Sequence, residues 1–60
     1  MNLKKLRKRL GFTQRDIAQK IGATSNTVSR WELGKVTPKL KTMIQLSKLF
    51  DCTIDELVKS

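Results

Sequence analysis

The sequence predicts an all-α protein, a compact domain of five helices, on three observations. Apolar residues recur at helical spacing through most of the 60 residues. The glycines and the proline lie between the resulting segments and not within them. No segment calls for a strand, and no repeat, low-complexity tract or long linker divides the chain. A chain of this size forms one small domain that depends on close helix packing.

The first helix is predicted over an apolar stripe at Leu3, Leu6 and Leu10, and Gly11 ends it. Its other faces carry cations and no acid; these are Lys4, Lys5, Arg7, Lys8 and Arg9. Like charges four residues apart cost a helix roughly 0.2–0.5 kcal/mol per pair. Two interpretations stay open, a merely solvated basic face and contact with an anionic partner.

The second helix is predicted to begin at Thr13 and to run to residue 21. Thr13 and Asp16 have the spacing of a capping box, and Phe12 is placed to pack on Ile17 as a hydrophobic staple. Gly22 stops the helix because it can adopt a positive φ.

Thr24 caps the third helix, which runs through Leu33 until Gly34 ends it. Val28 and Trp31 stand at i and i+3 and are predicted to bury the inner face. A tryptophan can also stack on a base, but this spacing favours the core. Two short amphipathic helices around a glycine turn are typical of a helix-turn-helix, whose second helix enters the DNA major groove.

The outward face of the third helix carries Ser25, Asn26, Ser29 and Arg30, which form one contiguous strip. Short hydrogen-bonding side chains and an arginine suit base edges, since Asn pairs bidentately with adenine and Arg with guanine. Ordinary surface residues are the alternative. Serine and asparagine are poor choices for a helix surface, which favours recognition.

The loop from Lys35 to Lys39 contains the only proline and leads to the fourth helix. The predicted core-facing residues of that helix are Leu40, Met43, Ile44, Ser47 and Phe50. The helix is expected to end at Asp51, a residue type that tolerates the left-handed conformation.

Thr53 and Glu56 predict a second capping box that begins a short fifth helix, with Cys52 and Leu57 in the staple positions. A single cysteine excludes a disulfide within the chain, and the absence of histidine removes the usual zinc ligands and a base for a cysteine nucleophile. No metal or other cofactor is therefore implied. Cys52 is predicted to be a small buried hydrophobe.

The net charge of +8 and the pI of about 10.3 favour an anionic partner. The glycines do not form a phosphate-binding loop, so the sequence gives no support to an enzyme. No apolar run approaches the roughly 20 residues of a membrane span, and the N-terminus lacks the apolar region of a signal peptide. A third possible function is attachment to a membrane surface through the basic first helix. The leucines of that helix are needed for the core, so few apolar residues remain to contact lipid. The lone cysteine fits a reducing cytoplasm.

Residues 3–57 resemble the lambda-repressor-like helix-turn-helix domain, in the Cro-like or XRE-type branch of small bacterial and phage regulators. The features that carry the resemblance stand in the family's order: Leu-x-x-Leu-Arg, Thr-Gln, Ile-Ala, Gly, the Thr cap, Trp-Glu-x-Gly-Lys, Pro and Asp-Glu-Leu. The resemblance implies that residues 1–60 are a single DNA-binding domain of a sequence-specific transcriptional regulator that acts as a repressor. One recognition helix reads only a few base pairs, so two copies are expected to act as a homodimer on a two-fold symmetric operator. Ile54, Val58 or the loop before the fourth helix is expected to supply an apolar contact between the copies.

The resemblance also implies roles for individual residues. Ser25 and Asn26 are expected to read bases, and Arg30 to read a base one turn later. Thr27 is expected to lie near the DNA backbone.

Gln14 inherits the glutamine that clamps a phosphate, and the basic residues Lys35 and Lys39 are expected to meet the sugar-phosphate backbone. The family usually has Asn where this chain has Leu33. A phosphate contact is then missing, or Leu33 touches a thymine methyl or a partner.

Arg7 and Glu32 correspond to an arginine–glutamate pair of the family and are expected to be structural. Lys4 and Lys8 remain candidates for phosphate contacts.

Overall fold

The computed structural model describes residues 1–59, so that Ser60 lies outside the described residues. Within that range there are five helices and no strand: α1 (Leu3–Arg9), α2 (Gln14–Ile21), α3 (Ser25–Glu32), α4 (Leu40–Phe50) and α5 (Ile54–Val58). They form a body of about 23 × 23 × 19 Å in which α2 packs on α3 and α4, α1 packs on α3, and α5 packs on α4. The predicted all-α, five-helix fold is confirmed.

The residues that cap α2 and α3 form the predicted hydrogen bonds with residues close to them in the sequence. The Asp16 backbone N–H donates to Thr13 Oγ1 at 3.0 Å, and the Thr13 N–H donates to the Asp16 carboxylate at 2.8 Å. Thr24 Oγ1 accepts from the Thr27 N–H at 3.1 Å. Gly22 ends α2 with φ of +84°, a conformation that other residues adopt only with strain. These contacts fix where α3 starts relative to α2.

A single apolar core holds the helices together. Its buried members are Leu3, Leu6, Ile17, Ala18, Val28, Trp31, Leu46, Phe50 and Leu57. Trp31 is 5% exposed, which confirms that it is a core residue. Phe12 and Cys52 are partly buried against the same cluster, as the staple positions predict.

The start of α1 and the last described helix lie side by side. The Asn2 backbone N–H donates to the carbonyl oxygen of Leu57 in α5 at 2.8 Å. Burial of Leu3 and Leu57 on either side of this bond joins the start of α1 to the last helix.

The predicted core face of α4 is wrong in part. Leu40 is 66% exposed and Ile44 is 39% exposed, whereas Leu46, absent from the prediction, is fully buried beside Phe50. Apolar residues occupy so many positions of α4 that more than one stripe fits the helical period, and packing on α2 and α5 selects the stripe that contains Leu46.

Two smaller expectations also need correction. Leu10 is 49% exposed because α1 ends at Arg9 and the chain turns at Gly11, so Leu10 never joins the stripe of Leu3. At α5 only half of the predicted capping box forms: Thr53 Oγ1 accepts from the Glu56 N–H at 3.1 Å, while the Glu56 side chain stays exposed to water.

Three helices are tied by one carboxylate. Arg7 Nε of α1 donates to Glu32 Oε2 of α3 at 2.7 Å, and Arg7 Nη2 donates to Oε1 at 3.3 Å. Gln14 Nε2 of α2 donates to the same Oε1 at 3.0 Å. Arg7 Nη1 also donates to the carbonyl oxygen of Phe12 at 2.9 Å. The side chains of Arg7 and Glu32 are only 11% and 5% exposed, which confirms the structural ion pair.

We expect Glu32→Ala to reduce the free energy of unfolding by about 3 kcal/mol, as for other pairs removed from water. The substitution leaves the Arg7 guanidinium largely buried without its partner. Thermal melts measure the loss, with the exposed Lys59→Ala as control. A loss no greater than the roughly 0–1 kcal/mol of an exposed pair would show that the network does not stabilise the fold.

The capping box of α2 also predicts a pH dependence. Hydrogen bonding from Thr13, through its backbone N–H first and its hydroxyl second, holds the pKa of the Asp16 carboxyl below its ordinary value of 3.8. The stabilisation is therefore fully present above about pH 3.8 and is lost as the pH falls through the lower folded value.

Asp16→Asn should accordingly be less stable than the parent at neutral pH, by a margin that shrinks below about pH 4. Melting temperatures of both proteins measured from pH 7 to pH 2 test this. A constant difference across that range would mean that ionised Asp16 contributes nothing through the cap.

Candidate nucleic-acid interface

The outward face of α3 presents the predicted strip. Ser25, Asn26 and Arg30 are exposed, and Ser29 is half-buried beside them. The opposite face of α3 is closed by Val28 and Trp31 in the core. The strip is thus held on a helix that has no freedom to rotate, and its donors and acceptors point to solvent.

Thr27 is positioned differently from its neighbours. It is half-buried, and its hydroxyl oxygen lies 2.9 Å from Thr24 Oγ1. The two hydroxyls share one hydrogen bond at the start of α3, so Thr27 keeps capacity for one further polar contact and also supports the cap.

Gln14 opens α2 and is half-buried. Its amide nitrogen has two hydrogens, of which one is donated to Glu32. The second hydrogen remains for an anion, and the Arg7–Glu32 pair fixes the direction of the amide. The family resemblance predicts a phosphate-binding role for Gln14 and, separately, a pair between Arg7 and Glu32, but no sequence signal indicates that the three side chains form one network.

A surface groove of about 340 Å³ runs between α1, α2 and α3 beside this network. Its lining residues are Lys4, Arg7, Lys8, Gln14, Ser29, Glu32 and Leu33. The carboxylate in the groove is already neutralised by Arg7, so the two lysines make the groove attractive to anions. It brings the candidate cations Lys4 and Lys8 to the edge of the α3 strip, an arrangement that depends on helix packing and has no local sequence signal.

Lys35 and Lys39 lie outside this groove, on the loop after α3, and both are exposed. The Gly34 N–H donates to the Trp31 carbonyl and the Lys35 N–H donates to the Arg30 carbonyl, at 3.1 and 3.0 Å. These two bonds and the φ of +75° at Gly34 end α3 sharply. Lys35 is therefore held close to the end of α3, whereas Lys39 follows at the N-cap of α4.

A second, apolar groove of about 240 Å³ shares no lining residue with the first. Its lining residues are Met1, Trp31, Gly34, Val36, Thr37, Met43 and Val58. Val58 and the loop before α4 both contribute to this groove, whereas Ile54 is half-buried and does not line it.

Other kinds of site find little support within residues 1–59. No group of three His, Cys, Asp or Glu side chains is placed to hold a metal ion. No helix in that range has the length and apolar character needed to cross a membrane. Burial first, and then the charges of Glu56 and Asp51, raise the pKa of the Cys52 thiol, which makes it a poorer nucleophile at neutral pH.

Comparison with known proteins identifies the family to which this fold and this site correspond. A family model described as helix-turn-helix matches residues 3–57. The uncharacterized HTH-type transcriptional regulator YqaE of Bacillus subtilis is 41% identical over 58 residues, covering 97% of this chain and 50% of that protein. The SPbeta prophage-derived regulator YonR, also of Bacillus subtilis, is 37% identical over 57 residues, covering 95% of this chain and 53% of that protein.

Among solved structures, the P22 c2 repressor protein in complex with a synthetic operator superposes with a TM-score of 0.88 at 28% identity. The match covers 95% of this chain and 86% of the P22 chain. The present chain spans about half the length of YqaE and YonR. Since the family model covers nearly the whole chain and the P22 structure has the same fold, the chain belongs to the helix-turn-helix family, in its lambda-repressor-like group.

Proposed function

We propose that residues 1–60 act as a single domain that binds duplex DNA sequence-specifically in the cytoplasm and represses transcription, as part of a regulator of bacterial or phage origin. The observation that carries this is the exposed strip Ser25, Asn26 and Arg30, presented by a helix whose other face is locked in the core. An α-helix fits the major groove of B-DNA, where each base pair shows a distinct pattern of donors and acceptors.

Base reading is assigned to the strip by chemistry. The Asn26 amide can pair bidentately with adenine, and the Arg30 guanidinium can pair with guanine O6 and N7. Ser25 both donates and accepts at the start of α3, where the strip first meets the bases. The similarity to a repressor solved with its synthetic operator supports this orientation of α3.

Phosphate binding is assigned to the residues around the strip. Lys4, Lys8 and the second amide hydrogen of Gln14 face one groove at one side of α3. Lys35 and Lys39 extend the positive surface beyond the C-terminal end of the helix. Such contacts fix the register of a protein on DNA and supply its sequence-independent affinity.

Two copies are proposed to act together. One recognition helix reads only a few base pairs, which is too little to select a site in a genome. The apolar groove of Met1, Trp31, Val36, Met43 and Val58 offers a surface for a second copy, and it shares no lining residue with the basic groove. A patch of this size is small compared with a stable dimer interface, so the chain is expected to associate weakly when free and cooperatively on DNA.

A base-reading residue and a phosphate-binding residue should affect DNA binding differently when each is replaced by alanine. Arg30→Ala should cost roughly 1–3 kcal/mol on the preferred sequence and relax the preference at one base position. Lys35→Ala should weaken binding to all sequences alike and lower the salt slope by about one unit. Binding isotherms on a sequence selected from a random pool and on a scrambled duplex, at several salt concentrations, measure both. Equal effects of the two variants on the two duplexes would contradict the assignment.

If two copies act together, binding to DNA with two half-sites should be cooperative. DNA with two half-sites about 34–36 Å apart should bind more tightly per half-site than DNA with one. Val58→Lys should remove this advantage, because it places a charge in the apolar groove. Leu10→Lys is the matched control, since Leu10 and Val58 are 49% and 45% exposed and Leu10 does not line the groove. Equal affinity per half-site in the parent protein would mean that it binds as a monomer.

A further inference from the structure

Leu33 is an exposed apolar residue in a polar setting. It follows α3 directly, and 66% of it is exposed. It stands four residues after Ser29 and eight after Ser25, so it continues the serine side of the α3 strip. It also lines the basic groove together with Lys4, Lys8 and Gln14.

The fold itself does not require a leucine at this position. Leu33 belongs neither to the core cluster nor to the residues packed against it. Its backbone N–H donates to the Ser29 carbonyl at 3.0 Å, a bond that any residue except proline would make. The apolar side chain is therefore available to a partner at the junction between the base-reading strip and the phosphate-binding groove.

The chemistry of DNA at that junction limits what Leu33 can contact. Phosphate oxygens are charged and hydrated and gain nothing from a leucine. Among the groups that bases present in the major groove, the thymine 5-methyl is the apolar one, and it projects toward the backbone of its own strand. A side chain between the strip and the phosphates is placed to meet such a methyl group.

We propose that Leu33 is a specificity-determining residue that packs on the 5-methyl group of one thymine in each half-site. This rests on the proposed function and extends base reading beyond Ser25, Asn26 and Arg30. Leu33 selects thymine by apolar contact, whereas the strip selects its bases by hydrogen bonds.

Deoxyuridine tests this because it differs from thymidine only in lacking the methyl group. The full chain is first used to select a duplex from a random pool, and each thymine of that duplex is then replaced in turn by deoxyuridine. For the parent protein we expect one replacement per half-site to weaken binding roughly fourfold, equivalent to about 0.8 kcal/mol for one buried carbon. Leu33→Ala is expected to bind the thymine and deoxyuridine duplexes equally at that position.

Leu40→Ala is the matched control, because Leu40 is also 66% exposed but does not line the groove. It should keep the fourfold sensitivity. The proposal is overturned if the parent protein is insensitive to every replacement, if the half-site contains no thymine, or if Leu33→Ala keeps the full sensitivity, as expected where Leu33 instead meets sugar or a second copy. A chain that enriches no sequence from the pool would overturn the proposed function itself, which distinguishes the two failures.

Discussion

The carboxylate of Glu32 is the constraint on which the arrangement of this domain depends. It lies at the end of α3, accepts from Arg7 of α1 and from Gln14 of α2, and is almost entirely removed from water. A buried charge is tolerated only where its partners are close and well directed. The relative positions of three helices therefore follow from satisfying one side chain. The groove between those helices has its shape for the same reason.

The third helix has to satisfy two requirements with only eight residues. Val28 and Trp31 give it a buried face, while the outward positions carry serine, asparagine and arginine. Serine and asparagine contribute little to helix stability, so the helix depends on its Thr24 cap and on the core. The residues suited to contact a ligand are thus carried at some cost to local stability, which the rest of the fold offsets.

What the sequence could predict was mostly local. The Thr13–Asp16 box and the glycine turn at Gly22 involve residues within one turn of each other, and both were confirmed. The Arg7–Glu32 pair came from family resemblance, not from spacing, because 25 residues separate its members. The buried face of α4 was mispredicted because an apolar-rich helix offers several stripes, and only its packing partners choose between Leu40 and Leu46.

Only part of the candidate site could be predicted from the sequence. The outward strip of α3 follows from helical periodicity alone, and Ser25, Asn26 and Arg30 are exposed where it placed them. The groove that joins Lys4 and Lys8 to Gln14 comes from helices that meet only in the folded chain. The spacing of Lys4, Lys8 and Gln14 in the sequence does not indicate this groove. Their role in binding phosphate stays a prediction.

The hydrogen bond between Asn2 and Leu57 has a consequence for how this domain can be handled. The start of α1 and the end of α5 meet at the apolar groove, since Met1 and Val58 both line it, and neither residue lines the groove that contains Gln14. A fluorophore or fusion partner attached next to Met1 or Val58 would leave the α3 strip free but crowd the surface proposed for a second copy. Because Asn2 and Leu57 are within hydrogen-bond distance, a short peptide could join the start of α1 to the end of α5, and the chain could be opened in a loop elsewhere.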